Sequence, residues 1–107
     1  MAEFLVAPAA RADLLSQWNF YADDVGDPEL ADRFVACAEA TFKRLARAPG
    51  LGRPRPFRSP KARNLRSWSV VDFSNHLVFY RPLPSERGVE IVRIVHGARD
   101  LDALFKE

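Results

Sequence analysis

Between Pro49 and Pro60 the chain carries four prolines and two glycines, and this segment separates two differently patterned halves. Proline removes a backbone donor and clashes inside a helix, and glycine weakens helix and strand alike. The segment can therefore be neither a helix nor a central strand, and is expected to be a stiff connecting loop. Before it the apolar spacing is helical. Leu14, Trp18, Tyr21 and Val25 form one stripe of a helix expected over Ala9–Val25, which Gly26 ends. Asp27 offers a capping oxygen, Pro28 suits the first helical position, and Glu29 suits the helix dipole. A second helix is expected from Pro28 to Ala48, with a stripe of Ala31, Val35, Ala38, Phe42 and Leu45 and with Arg44 and Arg47 in its last turn. The short Gly26-Asp27 link makes the two an antiparallel hairpin.

After the proline-rich segment the pattern becomes that of strands. Leu65–Val71, His76–Arg81 and Val89–His96 are rich in β-branched and aromatic residues. Asp72-Phe73-Ser74-Asn75 and Pro84-Ser85-Glu86-Arg87-Gly88 read as the turns between them. The last strand is apolar on both faces, as a central strand would be. Glu3–Val6, before Pro8, reads as a further strand that joins the sheet, and Asp100 can cap a short terminal helix through Phe105. The order β-α-α-β-β-β predicts an α+β fold, a helical hairpin on an antiparallel meander, and one domain over residues 1–107. Leu14, Phe42, Ile91 and Ile94 are expected in its core.

Composition narrows the function classes. No apolar run approaches the roughly 20 residues of a membrane helix. The opening segment to Pro8 lacks the basic region of a signal peptide. A lone cysteine, Cys37, excludes an internal disulfide and suits the cytoplasm; its place in the second helix suggests a small apolar filler. With two histidines and one cysteine no metal-ligand spacing arises, so no metal or cofactor is expected. The net charge of +2 hides an asymmetry. The first 41 residues hold eight acids and two bases, and the remaining 66 hold six acids and fourteen bases. Arg53, Arg55, Arg58, Lys61, Arg63 and Arg66 form the densest run, with no acid between Thr41 and Val71. Such a half can face a polyanion or an acidic partner, or simply be solvated.

Three segments carry a resemblance. Ala7-Pro8-Ala9-Ala10-Arg11-Ala12-Asp13-Leu14, Asn75-His76-Leu77-Val78-Phe79-Tyr80-Arg81-Pro82, and the run from Val89 to Asp100 ending His96-Gly97-Ala98-Arg99-Asp100 are similar to the ParE/RelE toxin superfamily of type II toxin–antitoxin systems. The last ending is similar to the ParE-like branch, whose members include plasmid stabilisation proteins. The resemblance implies a growth-inhibiting toxin silenced by the C-terminal segment of a co-expressed antitoxin, for the ParE-like branch a ParD-like ribbon-helix-helix protein forming a hetero-oligomer. ParE-like proteins poison DNA gyrase without being nucleases. RelE-like proteins cut messenger RNA in the ribosomal A site. A shared fold does not choose between these activities.

The residues themselves bear on that choice. Metal-free RNA cleavage needs a base, an acid and a cation beside the phosphate. Arg81 can fill the cation role, as the resemblance implies for the RelE-like branch, or it can be a surface arginine at a strand end. Lys61, Arg63 and Arg66 can hold phosphate or carboxylate groups, or be solvated. His96 is the one candidate proton carrier, since His76 is expected at a strand start, but a structural histidine beside Gly97 is the better reading. Arg99 can pair with a nearby carboxylate or face a target. The RelE-like reading also wants a tyrosine or histidine near the C-terminus, and residues 97–107 have neither. A non-enzymatic gyrase inhibitor is thus the expectation, with Lys61, Arg63, Arg66, Arg81, His96 and Arg99 as target-binding candidates and no catalytic residue. The alternatives are a ribosome-dependent endoribonuclease and a non-toxic basic nucleic-acid-binding module, which lacks the exposed aromatics of single-strand readers. Neither membrane binding nor sequence-specific DNA binding by the toxin alone is expected. Trp18 reads as core. Trp68, between Ser67 and Ser69, reads as core or as a partner anchor.

Overall fold

A computed structural model describes residues 3–56, 60, 63–84 and 87–97. The elements are β1 (Glu3–Val6), α1 (Pro8–Asn19), a π-helical turn (Phe20–Asp24), α2 (Pro28–Arg47), β2 (Arg53–Pro54), β3 (Arg66–Val70), β4 (Phe73–Pro82) and β5 (Gly88–His96). The sheet order is β1-β5-β4-β3-β2, with β1 parallel to β5 and the other neighbours antiparallel. The expected α+β architecture is present, and the central position of β5 accounts for its two apolar faces. No helix among the described residues is long and apolar enough to cross a membrane. The expected terminal helix from Asp100 to Phe105 lies outside the described residues.

The hairpin packs on one face of the sheet. Phe34, Ala38, Phe42 and Leu45 of α2 are buried with Val78, Tyr80, Val89, Ile91 and Ile94. Leu65, Phe79 and Val95 form a smaller cluster. A β-bulge explains how Ile91 and Ile94, an odd number of residues apart, reach the same core. Phe79 pairs with Arg93 but Tyr80 pairs with Ile91, so Val92 is skipped in the ladder. Phe34 lies off the stripe read from the sequence, yet is fully buried.

The first helix departs from expectation. After Asn19 it widens, and Val25 N–H donates to Phe20 O, five residues back. The wider turn shifts the phase of the apolar stripe, which leaves Val25 51% exposed instead of on the core side. Leu14 and Trp18 are only half-buried. Trp18 is a clasp rather than a core residue, its Nε1 donating to Asp32 Oδ1 of α2 at 2.9 Å. The second helix starts as read, with Leu30 N–H donating to Asp27 Oδ1 at 3.0 Å.

Two strand boundaries also differ. The proline-rich segment contains the two-residue edge strand β2, in which Pro54 stands opposite Arg66. An edge tolerates proline because one side of the strand needs no donor. The β3–β4 turn is tighter than Asp72–Asn75. Asp72 takes a positive φ of 64°, and Phe73 already begins β4. Short polar side chains tolerate this left-handed conformation.

Asp13 ties α1 to the bulge. Its carboxylate accepts from Arg93 Nε at 2.8 Å, Arg93 Nη2 at 3.0 Å and Ile94 N–H at 2.9 Å. The Asp13 and Arg93 side chains are only 16% and 25% exposed. Removing one partner strands a poorly solvated charge, so Asp13→Ala is expected to cost about 3 kcal/mol in urea unfolding. Asp27→Ala, which removes an exposed cap, is expected to cost about 1 kcal/mol.

Candidate functional site

Tyr80 sits at the centre of the basic end. The chain leaves α2 through Ala48 and must turn sharply to reach β2. Gly52 N–H donates to Tyr80 Oη at 2.7 Å, and Tyr80 Oη donates to Pro49 O at 2.8 Å. A Cβ on Gly52 would lie 2.6 Å from that hydroxyl oxygen, so only glycine allows this approach. Burial raises the Tyr80 pKa, and the phenol stays a neutral donor. Arg66, cross-strand from Tyr80, donates from Nη1 to Gly52 O at 2.6 Å and reaches Gly50 O at 3.4 Å. Its guanidinium is thus spent on holding the loop. Arg55 donates to Ser67 Oγ at 3.2 Å and lies over the Phe79 ring.

Arg81 follows Tyr80 and stands opposite Glu90, Nε to Oε1 at 3.6 Å. Arg63 is exposed, just before Asn64, which takes a φ of 63°. Arg63, Arg66 and Arg81 therefore gather toward one end of the sheet. Lys61 and Arg99 lie outside the described residues.

His96 belongs to the other end. It is exposed and stands opposite His76 in the β4–β5 ladder, whereas Arg81 stands opposite Glu90. Arg81 lies five residue steps along β4 from His76, about 17 Å at about 3.4 Å per step. One phosphate cannot bridge that distance, so the cation and the proton carrier weighed from the sequence do not meet.

His76 is the residue that sequence reasoning missed. Because β4 starts at Phe73, His76 lies inside the strand, 1% exposed, on the helix-facing side with Val78 and Tyr80. It sits among Tyr21, Phe34 and Phe73, with its ring 4.5 Å from that of Phe34 and 4.6 Å from that of His96. Its Nε2 is 2.8 Å from Tyr21 Oη. Burial, with a smaller contribution from His96, lowers its pKa to about 4. Burial also raises the Tyr21 pKa. The alternation His76, Val78, Tyr80 was the available signal, hidden by placing a turn at Asn75.

Trp68 is half-buried on β3 and packs against the main core from the open end of the sheet. A groove of about 470 Å³ runs beside it, bounded by Arg44 and Arg47 of α2. Cys37 is half-buried in α2.

The comparisons place this architecture. A solved structure titled as the chromosomal ParDE TA system from P. aeruginosa superposes with a TM-score of 0.70 at 22% identity, covering 92% of this chain and 98% of that one. The fold is therefore ParE/RelE-like. A search of curated protein sequences returns no match. The family model for the ParE toxin of the type II toxin–antitoxin system parDE matches residues 4–101, and the chain belongs to that family.

A depressed histidine pKa has a signed consequence. The unfolded chain binds a proton at His76 below about pH 6.5, while the folded chain resists it until about pH 4. The resulting stability is fully present above pH 6.5 and is lost as pH falls toward 4, by up to about 3 kcal/mol. Urea unfolding at pH 7 and pH 4.5 is expected to show this slope, and His76→Gln is expected to flatten it.

Proposed function

We propose that the protein is a cytoplasmic toxin that inhibits DNA gyrase by surface contact and is neutralised by a ParD-like ribbon-helix-helix antitoxin. The observation that carries the non-enzymatic reading is the separation of Arg81 from His96 by the length of the β4–β5 ladder. Arginine stabilises charge but cannot shuttle protons near neutral pH, since its pKa stays above about 12. His76, the nearer histidine in sequence, is buried and held neutral. Family membership supports gyrase as the target. The exposed cation Arg63 and the half-exposed Arg81 then serve as contact residues, joined by Lys61 and Arg99, while Arg66 fastens the turn after α2. His96, at the far end, acts mainly through its packing on His76.

The antitoxin reading rests on family membership and on charge. The helical half is acidic and the strand half basic, so a tail that crosses both faces meets complementary charge on each. An amphipathic helix on the hairpin and an extended segment on the sheet are the two modes the surface offers.

Gyrase supercoiling should be measured beside primer extension on ribosome-bound messenger RNA. The wild-type chain is expected to block supercoiling and leave the messenger intact. Arg81→Ala and the Lys61→Ala/Arg63→Ala pair are each expected to weaken inhibition about tenfold, the size of a lost charged contact. His96→Ala is expected to change inhibition less than twofold (roughly the noise of a stability effect). Codon-phased messenger cuts that vanish in His96→Ala, with supercoiling untouched, would place the activity in the RelE-like class.

A further inference from the structure

The two ends of α2 carry opposite surfaces. Before α2, the π-helical turn bears Phe20 and Val25, 43% and 51% exposed, beside the exposed Asp23 and Asp24. The wider turn is what brings Val25 outward. The Phe20 ring meets the Tyr21 ring edge-on at 5.3 Å, and Tyr21 is itself tied to His76. No base lies between Arg11 and Arg33, and the exposed Asp27 and Glu29 extend the negative charge. The hairpin tip thus joins two exposed apolar side chains to a patch of one sign.

The far end of α2 is the complement of that tip. The groove of about 470 Å³ has Arg44, Arg47, Trp68 and Val71 in its walls. Arg44 and Arg47 are exposed, Val71 is 48% exposed, and no carboxylate lines the groove. Among the described residues no ion pair engages Asp23, Asp24, Arg44 or Arg47. The tip and the groove of one chain cannot meet. Helix runs from the Asp27 cap to Arg44, about 25 Å at about 1.5 Å per residue. That is about three times the roughly 8 Å over which physiological salt screens a charge.

We propose that the hairpin tip of one copy of this chain docks in the α2–β3 groove of a second copy. Phe20 and Val25 cover Trp68 and Val71, and Asp23 and Asp24 face Arg44 and Arg47. Charge is opposite and apolar surface is present on both sides, and one sequence supplies the two. A nucleic acid satisfies the arginines but is repelled by the tip. A small anion fills the groove but leaves Phe20 and Val25 in water. A second copy is the occupant that answers both patches. Tip and groove are different surfaces, so the contact is heterologous, and its rotation closes a ring or extends a chain. The inference goes beyond the gyrase and antitoxin readings, for it uses none of Lys61, Arg63, Arg81 or Arg99 and needs no other protein.

Analytical ultracentrifugation of the full chain, free of other proteins, is the test. At low salt the apparent mass is expected to rise with concentration, as a small contact requires. The dissociation constant is expected to rise about tenfold between low salt and about 0.3 M salt, as exposed charges are screened. D23K/D24K and R44E/R47E, each checked by circular dichroism, are expected to weaken self-association at least about tenfold. An equimolar mixture of the two is expected to associate again. The lysine tip of the first then meets the glutamate groove of the second, and the native tip of the second meets the native groove of the first. That recovery also requires both variants to be folded. Phe20→Ser, which leaves every charge in place, is expected to weaken association about tenfold through lost apolar burial. A chain that stays monomeric at every concentration at low salt, a mass indifferent to salt, either charge variant associating like the wild type, or a mixture no more associated than its parts would each overturn the proposal.

Discussion

The carboxylate of Asp13 holds the two layers of this protein in register. It sits on α1, a helix that fully buries only the small Ala10, with Leu14 half-buried and Leu15 exposed, and so gains little hydrophobic area of its own. By accepting from Arg93 and from Ile94 N–H it reaches β5 at the point where that strand skips a residue against β4. An unpaired backbone donor at a bulge would be costly under a helix layer. Asp13 satisfies the one at Ile94, and the bulge in turn aims both Ile91 and Ile94 at α2. Helix placement, strand twist and core packing therefore share one carboxylate. The interaction spans about three quarters of the chain, so it forms only when the ends of the sequence have come together.

Once β5 is fixed, the chemistry is distributed by strand position. Strand residues project at intervals of about 3.4 Å, so a ladder as long as β4–β5 keeps its ends apart. Glu90 and Arg81 occupy one end and the two histidines the other. The histidine end is aromatic and dry, with His76 wrapped by Tyr21, Phe34 and Phe73. The arginine end is wet and built on a buried phenol, since Tyr80 and Arg66 fasten the turn after α2. Tyr80 and Arg66 both do structural work there.

Much of this was legible from residue order. Helical spacing from Pro28 to Leu45 and the β-rich segments after the prolines reported their elements because local period and burial agree there. The capping Asp27, the helix-breaking prolines and the central character of β5 were equally local facts. The family resemblance rests on the opening Ala7–Leu14, on the strand reaching Arg81 and on the run from Val89 to Asp100, whose described part forms β5 and Gly97. What misled was phase. The wide turn at Phe20 displaced Val25 from its stripe, and the tight turn at Asp72 moved His76 from a strand start to a strand interior.

The amino-acid sequence by itself determined the elements, their order and the uneven charge, because periodicity, caps and prolines act over a few residues. The tertiary structure alone decided which polar groups meet. Asp13 finds Arg93, Tyr80 finds Gly52, and His76 finds Tyr21 and His96, all across long stretches of chain. It also decided that Arg81 and His96 stay apart. Strand register and a single-residue bulge set those distances. A shift of one residue reverses which face a side chain takes, and no local pattern in this sequence records it.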